Sequence, residues 1–212
     1  MKHSSIRTFE HSIILLALCA ATGCFNEPEP AYKSVPAESR VYLNDKGLKD
    51  LSSCAALKRS GGDAASPLNI DYVNLDRNEL TNVNAVATLT GLKWLRLNDN
   101  RLSTLPDLKG LVNLRRIYLR NNRFAAVPET LKELPALTDI DLSGNPVKEV
   151  PQWLAEKKGL KNLSFSRTQV VKLPENLEAW KSLQCLQLGD LNISPAEMAR
   201  IRSALPNVAI VF

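Results

Sequence analysis

A repeated frame runs through most of this chain and limits what it can fold into. Six copies carry apolar residues at relative positions 1, 4, 6 and 11, and successive copies start 22 or 23 residues apart. One copy cannot bury its own apolar face, so a repeat of this length predicts a solenoid in which each copy stacks on its neighbours. The copies begin at Ile70, Leu92, Leu114, Leu137, Leu160 and Leu183.

The pattern inside each copy predicts a short strand. Positions 4 and 6 are apolar and positions 3, 5 and 7 are mostly polar, which is the period-2 pattern of a strand with one buried face. Equivalent strands of successive copies then pair in parallel, and positions 1, 4, 6 and 11 face one continuous core.

Position 9 predicts a turn at the end of each strand. A short amide side chain can satisfy backbone groups where the chain turns, so equivalent asparagines are expected to form a ladder. Asparagine occupies this position in the first four copies, whereas Thr168 can replace it only in part and Leu191 cannot. The ladder is therefore expected to lapse towards the C-terminal end. The four asparagines are Asn78, Asn100, Asn122 and Asn145.

The segment Leu92–Leu102, LKWLRLNDNRL, fits the pattern LxxLxLxxNxL, and residues 41–212 resemble the leucine-rich-repeat family. The first copy continues as Leu80-Thr-Asn-Val83 without proline and resembles the 22-residue repeats of bacterial internalins. The resemblance implies an α/β repeat solenoid, a horseshoe with a parallel concave sheet and short helical or 3₁₀ turns on the convex side. Later copies carry Pro128, Pro151 and Pro174, which suit the first turn of a short helix.

Composition and pattern divide the chain into five segments. At the C-terminal end, Ser194 as N-cap and Glu197 at N3 predict a helix to about Leu205, followed by an edge strand. Residues 41–48 look like a degenerate first repeat, and residues 58–67 look like a surface insertion. The predicted segments are a lipoprotein signal peptide (1–23), a flexible tether (24–40), an N-terminal cap with an insertion loop (41–69), six repeats (70–193) and a C-terminal cap (194–212).

The N-terminus predicts export and lipid attachment. Lys2 and Arg7 precede a run of about nine apolar residues, whereas a membrane-spanning helix needs about 20. The sequence Ala21-Thr22-Gly23-Cys24 resembles the lipobox of bacterial lipoproteins, which implies a lipidated Cys24 at the start of the mature chain. An ordinary cleaved signal and an uncleaved anchor are the alternatives. Phe25 after that cysteine implies the outer membrane if the cell is Gram-negative, and the cell envelope in any case.

The residues that are missing disfavour catalysis. His3 and His11 both lie in the predicted signal, so the mature chain lacks the commonest general base and metal ligand. Asp139 and Asp141 point the same way from one strand, but Arg116 on the neighbouring strand is a ready charge partner. We therefore expect no catalytic residues, no metal and no cofactor, and a net charge of +5 is too mild to predict nucleic-acid binding.

The concave face carries the candidate binding site. Parallel stacking gathers large aromatic and arginine side chains on the first three copies, and these residue types dominate binding hot spots. The alternative is that they form cross-strand cation–π pairs that only stabilise the sheet. The predicted partner-binding residues are Tyr72, Trp94, Arg96, Arg116, Tyr118 and Arg120.

Three classes of function remain open. The first is a monomeric, membrane-anchored binding module that recognises a protein or peptide on its concave face, as the resemblance implies. The second is an envelope scaffold or glycan-binding lipoprotein, in which Trp94 and Tyr118 stack on sugars. An enzyme is the third and least favoured class.

Overall fold

The computed structural model describes residues 37–52, 54, 57 and 70–212. Within these residues, eight short strands form one sheet in chain order, and each strand pairs in parallel with the next. The predicted parallel sheet is therefore confirmed. The strands are β1 (Arg40–Tyr42), β2 (Tyr72–Asn74), β3 (Trp94–Arg96), β4 (Arg116–Tyr118), β5 (Asp139–Asp141), β6 (Asn162–Ser164), β7 (Cys185–Gln187) and β8 (Ala209–Val211).

Short helices follow five of the six strands from β2 to β7 on the convex side, as predicted, and β3 is the exception. Pro128 and Pro151 are the N-cap residues of their helices, one position before the predicted first turn, and Pro174 lies four residues before the next helix. No helix in the described part of the chain is long and apolar enough to cross a membrane. The 3₁₀ helices are Ala37–Ser39, Asn84–Thr88, Glu129–Glu133 and Glu178–Ser182, and the α-helices are α1 (Gln152–Glu156) and α2 (Pro195–Ala204).

The solenoid begins slightly before the predicted cap. Residues 37–39 form a 3₁₀ helix and Arg40 starts β1, although we predicted a tether up to residue 40. The backbone N–H of Asp71 donates to the carbonyl of Ser39 at 2.9 Å, which ties this segment to the first full copy. The rest of the predicted tether, the signal peptide with Cys24 and the insertion loop lie outside the described residues.

The core consists of the apolar positions of every copy. Leu95, Leu97 and Leu102 are fully buried at positions 4, 6 and 11 of the second copy, and the same positions are buried in the third. Trp180 fills the core near the C-terminal end, where its indole N–H donates to the carbonyl of Leu154 at 2.9 Å. Each layer of side chains is shared between neighbouring copies, so no copy is independent of the next.

The asparagines at position 9 connect successive copies. The Nδ2 of Asn100 donates to the carbonyl of Leu75 in the previous copy at 3.0 Å and to Leu97 in its own copy at 3.1 Å. Its Oδ1 accepts from the backbone N–H of Leu80 at 3.1 Å. Thr168 instead donates to Phe165 of its own copy at 2.7 Å. The ladder and its weakening are thus confirmed. The same pattern recurs at Asn78, Asn122 and Asn145.

The residue at position 8 has a positive φ in each copy, which the sequence pattern did not predict, and this is where the chain leaves the strand. Asp and Asn adopt this left-handed conformation more readily than other non-glycine residues, but arginine stands here in two copies. At Gly144 an added Cβ would lie 2.1 Å from Oδ1 of Asn121, so the turn also lacks room for a side chain. The residues are Asp45, Arg77, Asp99, Asn121, Gly144, Arg167 and Asp190, with φ between 52° and 67°.

The C-terminal cap has the predicted helix and strand, with a different role for Glu197. The Oγ of Ser194 accepts from the backbone N–H of Glu197 at 3.2 Å and begins α2. The carboxylate of Glu197 reaches the previous copy instead, where it accepts from the N–H of Leu173 at 2.9 Å. Arg200 donates to this carboxylate and to the carbonyl of Leu173, at 2.8 and 3.0 Å. The ion pair of Glu197 and Arg200 thus joins the C-terminal cap to the fifth copy at Leu173.

Candidate binding surface

The structure brings all six predicted residues onto one face of the sheet. Tyr72, Trp94 and Arg116 are register partners at position 3 of β2, β3 and β4. Arg96 and Tyr118 are partners at position 5 of β3 and β4, and Arg120 follows β4 at position 7. Because odd positions of a strand point to the same side, these side chains share the concave face.

An aromatic row crosses the first three strands and ends at an arginine on the fourth. The ring of Tyr42 on β1 lies 5.5 Å from that of Tyr72, which meets Trp94 edge-on at 6.0 Å. The guanidinium of Arg116 lies 4.7 Å above the Trp94 ring. Tyr42 was not among the predicted residues because its copy is degenerate, yet half of its surface is exposed. It belongs to the same surface.

The predicted aromatic residues expose little of their surface. Tyr72, Trp94 and Tyr118 are only 3%, 7% and 4% exposed. Trp94 lies beneath Arg116, and Tyr118 has the guanidinium of Arg96 at 5.5 Å from its ring centre. The cation–π pairs of the alternative interpretation are therefore present. A partner approaching this face would meet guanidinium groups and Tyr42 rather than open indole and phenol rings.

Carboxylates hold two of these arginines in place. The Nε of Arg96 lies 2.7 Å from Oδ2 of Asp76, whose other oxygen accepts from the backbone N–H of Asn98 at 2.8 Å. The Nε of Arg116 lies 3.8 Å from Oδ2 of Asp139, so the expected charge partner is in place at long range. The bond to Asp76 restricts the direction of Arg96, and the attraction of Asp139 together with stacking on Trp94 restricts that of Arg116. Both restrictions lower the entropy that a partner would have to remove.

Asp141 is the second carboxylate of the pair considered for catalysis. Its Oδ1 accepts from the backbone N–H of Ser143 at 2.9 Å and from its hydroxyl at 2.6 Å. Burial raises the pKa of Asp141, while the Ser143 hydrogen bonds and the charges of Arg120 and Arg167 act in the opposite direction. Both carboxylates, Asp139 and Asp141, accept hydrogen bonds from neighbouring residues, which gives them a structural role in the sheet. In the described residues, no group of three or more metal-ligating side chains occurs.

The other half of the face is small and polar. Ser143 and Ser164 are buried, Ser166 is half-buried, and the hydroxyl of Ser166 accepts from the N–H of Gly189 at 3.1 Å. Their hydroxyls serve the turns of the solenoid. The contrast with the arginine half shows that the large side chains are a local feature and not a general property of the strands.

Comparison with known proteins agrees with the geometry. The family model described as leucine rich repeat matches residues 68–124 and 90–147. The Leptospira interrogans leucine-rich-repeat protein LIC12759 is similar, with 34% identity and a TM-score of 0.62 over 66% of this chain and 36% of that chain. No curated protein matches.

Two Listeria monocytogenes internalins are also similar. For internalin C2 (inlC2) the identity is 28% and the TM-score 0.57, over 68% of this chain and 61% of that chain. For the internalin inlF the identity is 19% and the TM-score 0.54, over 68% and 48%, which shows the fold alone. This chain thus spans between about a third and three fifths of the chains that it matches.

The chain has the fold of a leucine-rich-repeat solenoid. Its resemblance to bacterial leucine-rich-repeat proteins is confirmed, whereas the lipoprotein part of that resemblance stays a prediction. The fold is typical of modules that bind proteins and of scaffolds without catalysis.

Proposed function

We propose that this protein is a membrane-anchored binding module that recognises a protein or peptide on the concave face. The observation that carries the proposal is the arrangement on β1 to β4, where ordered arginines and Tyr42 cover a packed aromatic row. Arginine and tyrosine dominate hot spots because they combine large contact area with directed donors. Their positions on strands of a stacked sheet reduce the entropy lost on binding.

Selection of peptides on the immobilised full chain tests this proposal. Peptides enriched from a random displayed library would be synthesised, and their Kd for the wild type and for variants measured by fluorescence anisotropy. We expect Tyr42→Ala and Arg120→Ala each to weaken binding about tenfold, which corresponds to about 1.4 kcal/mol. Both side chains are exposed, so neither truncation opens a cavity in the core.

The controls separate the concave face from the rest of the molecule. Lys148→Ala removes an exposed cation beyond the turn that follows β5, and Ser166→Ala changes the small polar half of the same face. Both should leave the Kd unchanged. Selected peptides that bind Tyr42→Ala and Arg120→Ala as tightly as the wild type would place recognition elsewhere and end the proposal.

The glycan-binding alternative depends on the exposure of aromatic rings. Half of Tyr42 is exposed and could stack on a sugar, but Trp94 and Tyr118, the two predicted stacking residues, are almost fully covered. The structure therefore favours a peptide over a glycan. Cosedimentation with purified insoluble peptidoglycan checks this choice, and binding that depends on Tyr42 but not on Arg120 would favour the glycan.

Anchoring to the cell envelope is the second part of the proposal. It rests on Ala21-Thr22-Gly23-Cys24 and on the short apolar run that precedes it. A lipid at Cys24 would hold the solenoid at a bacterial membrane, the outer membrane in a Gram-negative cell. Radiolabelled palmitate should enter the wild type and not Cys24→Ala, whose precursor should accumulate uncleaved. Equal labelling of both proteins would refute it.

A further inference from the structure

Ion pairs on the sheet present their cations and hide their carboxylates. Exposure of the side chains is 27% for Arg96 against 4% for its partner Asp76, and 28% for Arg116 against 6% for Asp139. The third pair, at position 2, shows the same difference, with 43% for Lys93 and 4% for Asp71. In each pair the positive group faces solvent and the carboxylate is buried. The net charge of each pair is close to zero, but the surface that a partner contacts is positive.

Four further cations lie on the same side of the solenoid. Arg115, Arg120, Lys161 and Arg167 are exposed, and none has a carboxylate within 4 Å among the described residues. Three carboxylates are exposed at positions 2 to 8 of the described copies, all of them at position 8: Asp45, Asp99 and Asp190. Asp45 is engaged by Arg77 at 2.5 Å, which holds the pKa of Asp45 at about 2. The sheet surface, positions 2 to 8 of each copy, is therefore cationic.

Arg120 and Arg167 frame a gap in this surface. They belong to the third and fifth copies, and the fourth copy between them carries only Ser143 and Gly144 at the equivalent positions. Neighbouring strands are about 4.8 Å apart, so the two arginine backbones are about 10 Å apart. The side chain that reaches over Gly144 between them is the short amide of Asn121. Two long guanidinium side chains can converge on one anionic group across such a gap.

The shape of the surface favours a polypeptide. The strands, each three residues long, form a strip about 10 Å wide at 3.3 Å per residue, which suits one extended chain with its side chains. Arg120 and Arg167, at positions 7 and 8, lie along one edge of this strip. Guanidinium groups bind carboxylates with two parallel hydrogen bonds, and arginine is preferred over lysine for this purpose. At positions 3, 5 and 7 of the six copies, every cation is an arginine already described: Arg96, Arg116 and Arg120.

We propose that the partner is an acidic polypeptide segment that lies extended across β1 to β6, with carboxylates at Arg96, Arg116, Arg120 and Arg167. This inference rests on the proposed function and adds the chemistry of the partner. Tyr42, at the open end of the arginine half, contacts an apolar or aromatic side chain of the same segment. Binding through these charges depends on ionic strength, because the arginines are partly solvated.

Fluorescein-labelled dodecamers of glutamate and of glutamine provide the probes. With the full chain, we expect the glutamate peptide to bind and the glutamine peptide to bind at least about tenfold more weakly. The double variant Arg120→Gln/Arg167→Gln should weaken the glutamate peptide by about tenfold or more, and added salt should narrow the difference between wild type and variant. Lys148→Gln is the matched control, since it removes one exposed charge away from the strip.

Three results would overturn the inference. Equal affinity of the glutamate peptide for wild type and double variant would show that Arg120 and Arg167 do not contribute to recognition of the peptide carboxylates. Equal or tighter binding of a single-stranded thymidine dodecamer, with the same dependence on Arg120 and Arg167, would show a surface for polyanions rather than for acidic polypeptide. If selected peptides bind the concave face but carry no excess of Asp and Glu, the proposed function stands and this inference fails.

Discussion

The first four copies and the C-terminal end satisfy the same kind of backbone groups by different chemistry. In the third copy, Asn122 donates to the carbonyls of Leu97 and Leu119 and accepts from the N–H of Leu102. At the C-terminal end, Glu197 accepts from the N–H of Leu173, and Arg200 donates to the carbonyl of Leu173. A neutral amide does in one case what an ion pair does in the other.

The difference shows which chemistry can be repeated. Equivalent side chains of successive copies lie about 5 Å apart, so a column of carboxylates or guanidinium groups would accumulate repulsion with every copy. A column of amides carries no net charge, so further copies can be added without electrostatic repulsion. A charged pair is suited to a single place, the end of the array, where it docks a helix that the repeat frame does not contain.

The largest expected effect concerns the leucine core, which both regions share. Leu119→Ala in the third copy and Leu188→Ala in the sixth truncate equivalent buried side chains at position 6. Each should lower the free energy of unfolding by about 2 to 5 kcal/mol, because the surrounding layers cannot collapse fully into the cavity. Urea denaturation followed by circular dichroism measures both. An unchanged midpoint for Leu119→Ala would contradict its place in the core, and a much smaller effect of Leu188→Ala would show that the end unfolds separately.

The ladder itself provides the second prediction. Asn122→Ala should cost roughly 1 to 3 kcal/mol, because it leaves buried carbonyls and the N–H of Leu102 without their partner. Thr168→Ala, at the same position of the fifth copy, removes one short bond within its own copy and should cost less than about 1 kcal/mol. The same denaturation experiment compares them. Equal losses for the two variants would mean that bonds between copies add nothing to bonds within a copy.

Much of this architecture could be predicted from sequence because it depends on spacing. The strand positions, the asparagine ladder and the helix after Ser194 follow from residue type at fixed intervals, and the structure has all three. What could not be predicted depends on contacts outside the frame. The positive φ of Arg77 is imposed by the turn and is not a preference of arginine. Glu197 accepts a hydrogen bond from Leu173 because the C-terminal cap packs against the segment that contains Leu173.

The candidate site was predicted in position but not in exposure. Register alone placed Trp94 beside Arg116 and Arg96 beside Tyr118, as the structure has them. Their near-complete burial depends on how far each arginine folds over the neighbouring ring, and sequence gives no measure of this. The recognition role of these residues stays a prediction. The exposed Tyr42 joins the candidate site, and it could not be predicted because its copy departs from the repeat pattern.

The ion pair of the cap should make the C-terminal end sensitive to acid. The hydrogen bonds from Arg200 lower the pKa of Glu197, so its contribution is present above its unfolded value of about 4.5 and is lost as the pH falls through the folded pKa. Glu197→Gln should therefore cost about 1 kcal/mol at neutral pH and much less in acid. Urea midpoints measured across this pH range test it. A constant difference would show that the charge of Glu197 contributes nothing.

Asp141 should respond to pH with the opposite sign and the smallest effect. Burial raises the pKa of Asp141 above the ordinary 3.8. The free energy of unfolding is therefore highest below that value, where the carboxyl is neutral, and falls as the pH rises through the folded pKa. Asp141→Asn keeps an oxygen that can accept from Ser143, removes the buried charge, and should leave the free energy of unfolding equal or slightly higher at neutral pH. The attraction of Arg120 and Arg167 offsets part of the burial cost, which keeps the gain small. The gain should vanish in acid, where the wild-type carboxyl is also neutral. A loss of stability at neutral pH that disappears in acid would instead mean that the arginines outweigh burial, and the carboxylate would then be a stabilising part of the cationic strip.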